Sequence, residues 1–131
     1  MPASLRILLV DDEPDLLHAL SLRLTAAGLT CDTAPNGKTA LEKLQQGLPD
    51  LIIADLLMPE MDGFQFLRQL KADARTAAIP VIVLTAIPKF GLAARGESLE
   101  AVRVLHKPFE FDELLSITRA LLPTPGGSPH G

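Results

Sequence analysis

The chain has 131 residues, 47% hydrophobic and 21% charged, a composition that fits one globular domain and excludes a disordered tail or a fibrous repeat. Cys31 is the single cysteine, which rules out an internal disulfide framework or a multi-cysteine zinc site, and a formal charge of −4 without a basic patch argues against direct contact with nucleic acid. No apolar run approaches the ~18 residues of a membrane span and nothing resembles a signal peptide, so a reducing, cytoplasmic setting without membrane contact is expected.

Leu5 to Val10 is the first short apolar run, of the kind that suits a strand buried on both faces. After Asp11-Asp12-Glu13-Pro14, Leu17, Leu20 and Leu24 recur at three and four residues and Gly28 follows, which predicts a helix with proline in its first turn and acids at the positive end of its dipole. A weaker strand over Thr30 to Ala34 places Cys31 and Thr33 on one face. Leu41 and Leu44 then mark a second helix ending near Gly47. Leu51 to Ala54 is the third strand, and Phe64, Leu67 and Leu70 mark the third helix. Ile79 to Leu84 is the fourth strand. A fourth helix is expected to be short or late, because Pro88, Gly91 and Gly96 interrupt that stretch. Ala101 to Leu105 is the fifth strand, and Leu114, Ile117 and Leu121 mark the last helix. Residues 123 to 131 hold three prolines and three glycines in nine, as a linker or free tail would. Strand and helix alternating about five times predict a doubly wound α/β domain with right-handed crossovers.

In open α/β sheets chemistry gathers beyond the carboxyl ends of the strands. The residues there are Asp11 and Asp12 after the first strand, Asp55 after the third, Thr85 after the fourth, and His106 and Lys107 after the fifth. Three carboxylates brought together repel one another, and one lysine offsets only one of them. A hard divalent cation with oxygen ligands answers that repulsion, and magnesium takes one or two carboxylates while keeping several waters. Asp55 can then serve as a nucleophile, with Lys107 and Thr85 holding the oxygens of an incoming phosphoryl group.

These pieces, with Asp55-Leu56-Leu57-Met58-Pro59, Met61-Asp62-Gly63, Thr85-Ala86 and Lys107-Pro108-Phe109 in order, resemble the receiver domains of two-component response regulators over about residues 4 to 122. The resemblance implies a five-stranded parallel sheet in the flavodoxin-like order 2-1-3-4-5 with helices on both faces. It implies Asp55 as phosphoacceptor, and Mg2+ held by Asp11, Asp12, Asp55 and the backbone carbonyl of Leu57. Lys107 pairs with Asp55 and then with the phosphate, and Thr85 turns its hydroxyl to the phosphoryl oxygen. The peptide before Pro108 is commonly cis in the family. The implied donor is a histidine kinase or a histidine phosphotransfer protein, and the implied output is an attached domain or a homodimer. Such a receiver is not an enzyme in the usual sense, since it turns over only its own Asp55.

The sequence departs from the family at Val104, where an aromatic residue is usual, and at Glu100-Ala101, where Gly-Ala is frequent. The fifth strand reads Val102-Arg103-Val104-Leu105 and the last helix carries Ile117, which does not support the acid–arginine dimer of one large subfamily. Leu57 and Ile87, two residues after the acceptor and the threonine, cannot orient an attacking water, so slow self-dephosphorylation is expected. The alternative to a phosphorylation switch is a receiver-like docking or dimerisation module that works without phosphate, which the absent aromatic favours and the intact acids and lysine oppose. Partner contacts on the first helix are expected at Leu16 and His18. His18 and His106 otherwise suit a helix face and a rim, and Cys31 suits a small buried hydrophobe.

Overall fold

The computed structural model describes residues 5–55, 63–85 and 102–122. Five strands, β1 (Arg6–Val10), β2 (Thr30–Ala34), β3 (Leu51–Asp55), β4 (Val81–Thr85) and β5 (Val102–His106), form one parallel sheet in the order β2-β1-β3-β4-β5. The described helices are α1 (Pro14–Ala26), α2 (Gly37–Gln46), α3 (Gly63–Ala72) and α4 (Phe111–Leu121). The expected region of a further helix, between Pro88 and Leu99, and the tail from residue 123 lie outside the described residues.

Every residue of β3 and β4 is buried, as their continuous apolar runs require of strands covered on both sides. Side chains alternate across the sheet and build two cores. Leu8, Val10, Ile52, Ala54, Val81 and Val83 pack with Ala40 and Leu44 of α2 and with Phe66, Leu67 and Leu70 of α3. Ile7, Leu9, Leu51, Ile53, Ile82 and Leu84 pack with Leu17, Leu20 and Leu24 of α1 and Leu114 of α4. Burying each large apolar side chain contributes about 1.5–3 kcal/mol, which is why the sheet needs both layers of helices. Ile7 pairs with Cys31 and Leu9 with Thr33, so the two β2 residues share one face as expected.

Local chemistry sets the helix ends. The Gly28 N–H donates to the Thr25 carbonyl at 3.0 Å and the Leu29 N–H to the Leu24 carbonyl at 3.1 Å, the paired bonds of a Schellman ending, with Leu24 and Leu29 both buried in the α1/α4 core. Gly28 has φ +96°, a left-handed conformation that a Cβ would strain. At the start of α2, Asn36 Oδ1 accepts from the Thr39 N–H at 2.8 Å.

Several sequence expectations shift by small amounts: β1 starts at Arg6, and β3 and β5 run one residue past the expected apolar runs, to Asp55 and His106. β4 begins at Val81 rather than Ile79, because the Ile79 N–H closes a turn onto the Thr76 carbonyl, and the ladder takes up at the Pro80 carbonyl, which accepts from Ile52. The fully buried row of α4 is Leu114 and Thr118, with Ile117 and Leu121 half-buried beside it. Thr118 is tolerated there because its hydroxyl donates to the Leu114 carbonyl at 2.7 Å. On α1, His18 is exposed but Leu16 is half-buried against the α1/α4 core, so it is not the open contact expected.

Candidate functional site

β1 ends in apolar Val10, and the next residue, Asp11, is held by its own N–H donating to the Ala34 carbonyl of β2 at 3.1 Å. That bond extends the ladder one residue beyond the strand and carries a carboxylate into the rim of the sheet. Asp55 is the last residue of β3 and sits opposite Leu84, one residue before the end of β4. The Lys107 N–H donates to the Thr85 carbonyl at 2.7 Å, which ties the residue after β5 to the end of β4. The Lys107–Pro108 peptide is cis, as the resemblance led us to expect. Parallel strands therefore deliver all these groups to one edge, each at the point where its apolar run stops.

One carboxylate oxygen each from Asp11, Asp12 and Asp55 lies within 4.8 Å of the others. Asp11 and Asp55 are buried and Asp12 is exposed, so the cluster opens to solvent on one side. The Lys107 ammonium donates to Asp55 Oδ2 at 2.9 Å and stands 3.7 Å from Asp11 Oδ2. Glu13 Oε1 is 3.8 Å from the same ammonium. Thr85 is fully buried at the adjoining strand end.

The electrostatics of this group are strained. Burial pushes the Asp11 carboxyl up to about 6, aided by the nearby Asp55 charge and opposed by the hydrogen bond from the Glu13 N–H to Oδ1 at 3.0 Å and by Lys107. Its other oxygen, Oδ2, is buried and accepts no hydrogen bond from the described residues. For Lys107, burial alone would lower the ammonium, but the hydrogen bond and charge of Asp55, with Asp11 and Glu13 behind it, outweigh burial and raise it. One cation cannot neutralise this many acids. An all-oxygen donor set with an orphaned buried carboxylate oxygen fits a small hard divalent cation that keeps some of its waters.

The structure thus brings together Asp11, Asp12, Asp55 and Lys107, and puts Thr85 at the neighbouring strand end. Leu57, expected to lend its carbonyl, lies outside the described residues. Glu13 was missed as a member of the cluster: its sequence reading was an acid suited to the helix dipole, and its place beside Asp11-Asp12 was the available signal. It is the N-cap residue of α1 but makes no side-chain cap bond.

Comparison with known proteins agrees with this geometry. A family model described as the response regulator receiver domain matches residues 7–119. Response regulator Rre1 of Synechocystis is 41% identical over 123 residues, 93% of this chain and 53% of the relative. Chemotaxis response regulator CheY4 of Vibrio cholerae superposes with a TM-score of 0.83 at 32% identity, covering 92% of this chain and all of that one. Response regulator TrrA of Thermotoga maritima, solved in complex with Mg(2+)-BeF, superposes with a TM-score of 0.76 at 33% identity, covering 90% of this chain and 99% of that one. The chain spans about half the length of the curated relatives it matches, or less.

Proposed function

The chain belongs to the response regulator receiver family and is a receiver domain of two-component signalling, and from that premise we propose that Asp55 is its phosphoacceptor, with residues 4–122 as the functional unit and 123–131 as a linker or tail. A carboxylate oxygen of Asp55 attacks the phosphorus of a phosphohistidine on a histidine kinase or phosphotransfer protein. The P–N bond breaks, the imidazole leaves with its electron pair, and an aspartyl phosphate remains. Asp11, Asp12, Asp55 and the Leu57 carbonyl would hold Mg2+, which supplies positive charge to the phosphoryl oxygens. Lys107 neutralises charge at Asp55 before transfer and at the phosphate after it. The Thr85 hydroxyl donates to a phosphoryl oxygen. The phosphoryl group lands on the chain's own side chain, so the domain acts as a switch for a partner or attached domain, with no substrate of its own to turn over. A phosphohistidine donor of this kind is a cytoplasmic protein, and the reading has the domain working in that compartment.

The observation that carries this reading is the 2.9 Å Lys107–Asp55 contact inside a three-carboxylate cluster whose Asp11 oxygen has no hydrogen-bond donor among the described residues. Its test is intact mass after incubation with magnesium and acetyl phosphate. The parent should gain one phosphoryl group, and the gain should vanish in Asp55→Asn and in chelator. A second reading, a docking module independent of phosphate, draws on Val104, which is β-branched, half-buried and packed against the α2/α3 core. That module has no use for magnesium, so an absent phosphoryl gain together with undetectable magnesium binding would sink the phosphoacceptor reading and favour this one.

A further inference from the structure

Glu13 stands in the cluster, and the transfer to Asp55 gives it no part. Its backbone is pinned on both sides. The N–H donates to Asp11 Oδ1 at 3.0 Å, and the carbonyl accepts from the Leu17 N–H at 3.0 Å. A side chain at the N-cap can turn back onto the free N–H groups of its helix, and that of Glu13 does not. Its Oε1 lies 3.8 Å from the Lys107 ammonium, and the side chain is 65% exposed. The same ammonium therefore meets a buried acid, Asp55, and an exposed one, Glu13. Glu13 marks the solvent side of the site.

That placement puts a negative charge where a phosphodonor arrives. Asp55 is buried, so the donor reaches it from the open side. In an in-line transfer the attacking and leaving atoms lie on opposite sides of phosphorus, so the leaving group stays on that open side. Donors differ in the charge they carry there. Acetyl phosphate is a dianion at neutral pH: the Asp55 oxygen bonds to phosphorus, the P–O bond breaks, and acetate leaves with the electron pair as an anion. A phosphoramidate carries a proton on its nitrogen and one negative charge fewer. Its P–N bond breaks, and the nitrogen leaves neutral with the electron pair and its proton. Glu13 repels the first donor more than the second. Two unit charges 4 Å apart in water interact by the equivalent of about fivefold in rate. We propose that Glu13 is a specificity-determining residue for phosphotransfer, its carboxylate at the solvent mouth favouring phosphoramidates, the class that includes phosphohistidine, over acyl phosphates. This rests on Asp55 as phosphoacceptor and narrows the class of donor that sets the switch.

The test follows the intact mass of the full chain against time at low salt. The donor is acetyl phosphate or phosphoramidate, each below saturation, with magnesium saturating for every variant. Glu13→Gln removes the charge and keeps the shape, and Glu13→Lys reverses the charge. The ratio of the acetyl phosphate rate to the phosphoramidate rate should rise about fivefold in Glu13→Gln and further in Glu13→Lys. Both donors use the same Asp55, Lys107 and metal, so the ratio cancels whatever a variant does to folding or to magnesium binding. A ratio unchanged in both variants overturns the inference and leaves the phosphoacceptor reading intact. Equal acceleration with the two donors overturns it too, because Glu13 would then act on the site and not on the choice of donor. No phosphoryl gain by the parent from either donor overturns both.

Discussion

Lys43 donates to Asp32 Oδ1 at 2.7 Å on the edge strand β2, and Lys107 donates to Asp55 Oδ2 at 2.9 Å where β3 and β5 end. The contacts are nearly the same length, but their surroundings differ. Asp32 is partly exposed, its lysine is shared with no other carboxylate among the described residues, and the Lys43 hydrogen bond holds its carboxyl below the ordinary range. Around Lys107 stand Asp11 and Glu13 as well as Asp55, and burial, aided by the neighbouring carboxylates, leaves Asp11 with a carboxyl raised to about 6 and an orphaned oxygen. A one-to-one pair at the surface is finished structure. An excess of buried acids over cations is an incomplete site, and what completes it is more positive charge.

Asp11→Asn should sharpen that contrast most. The rise of the Asp11 carboxyl from 3.8 to about 6 means that the folded chain prefers it protonated, so its contribution to stability is present in full below about pH 4 and is lost as pH rises through about 6. Without divalent cation, the variant should therefore be more stable than the parent by roughly 2 kcal/mol at pH 7, with the advantage shrinking to nothing near pH 4. Urea denaturation in chelator at the two pH values measures it. The same variant should bind magnesium about tenfold more weakly or worse, by calorimetric titration, because a ligand charge is gone. Stability gained while metal affinity is lost is the signature of a site strained for its chemistry.

Leu57→Asn adds a polar group able to orient water at the acceptor, and should shorten the lifetime of the aspartyl phosphate several-fold, followed by loss of the phosphoryl mass after donor removal. The smallest effect is expected on the other side of the comparison. Asp32→Asn should destabilise by less than about 1 kcal/mol, as exposed pairs do, and leave magnesium affinity unchanged. A larger loss, or any change in magnesium affinity, would show that the β2 pair is coupled to the site.

Much of this was legible in the chain. Apolar runs that stop at Asp55 and Thr85 marked both the buried strands and the polar groups at their ends, because a parallel sheet buries its strands and exposes their carboxyl edge. The Gly28 ending and the Asn36 cap follow from local preferences that need no tertiary partner. Thr118 was illegible as a core residue, since its burial depends on a hydrogen bond to Leu114 within its own helix, and helical spacing alone favoured Ile117. Leu16 was misjudged for a related reason: a residue at the edge of an apolar stripe is covered or open according to where the neighbouring helix lies.

The sequence by itself determined the alternation of strands and helices, the family, and which acids, lysine and threonine end the strands, because these depend on spacing and residue type along the chain. Tertiary structure decided how they share space. Only the parallel register sets Thr85 opposite His106, brings Glu13 to 3.8 Å from Lys107, and buries Asp11 Oδ2 without a partner. The reason is physical: desolvation, charge crowding and cross-strand pairing depend on distances between residues far apart in the chain, and those distances exist only once the sheet has formed.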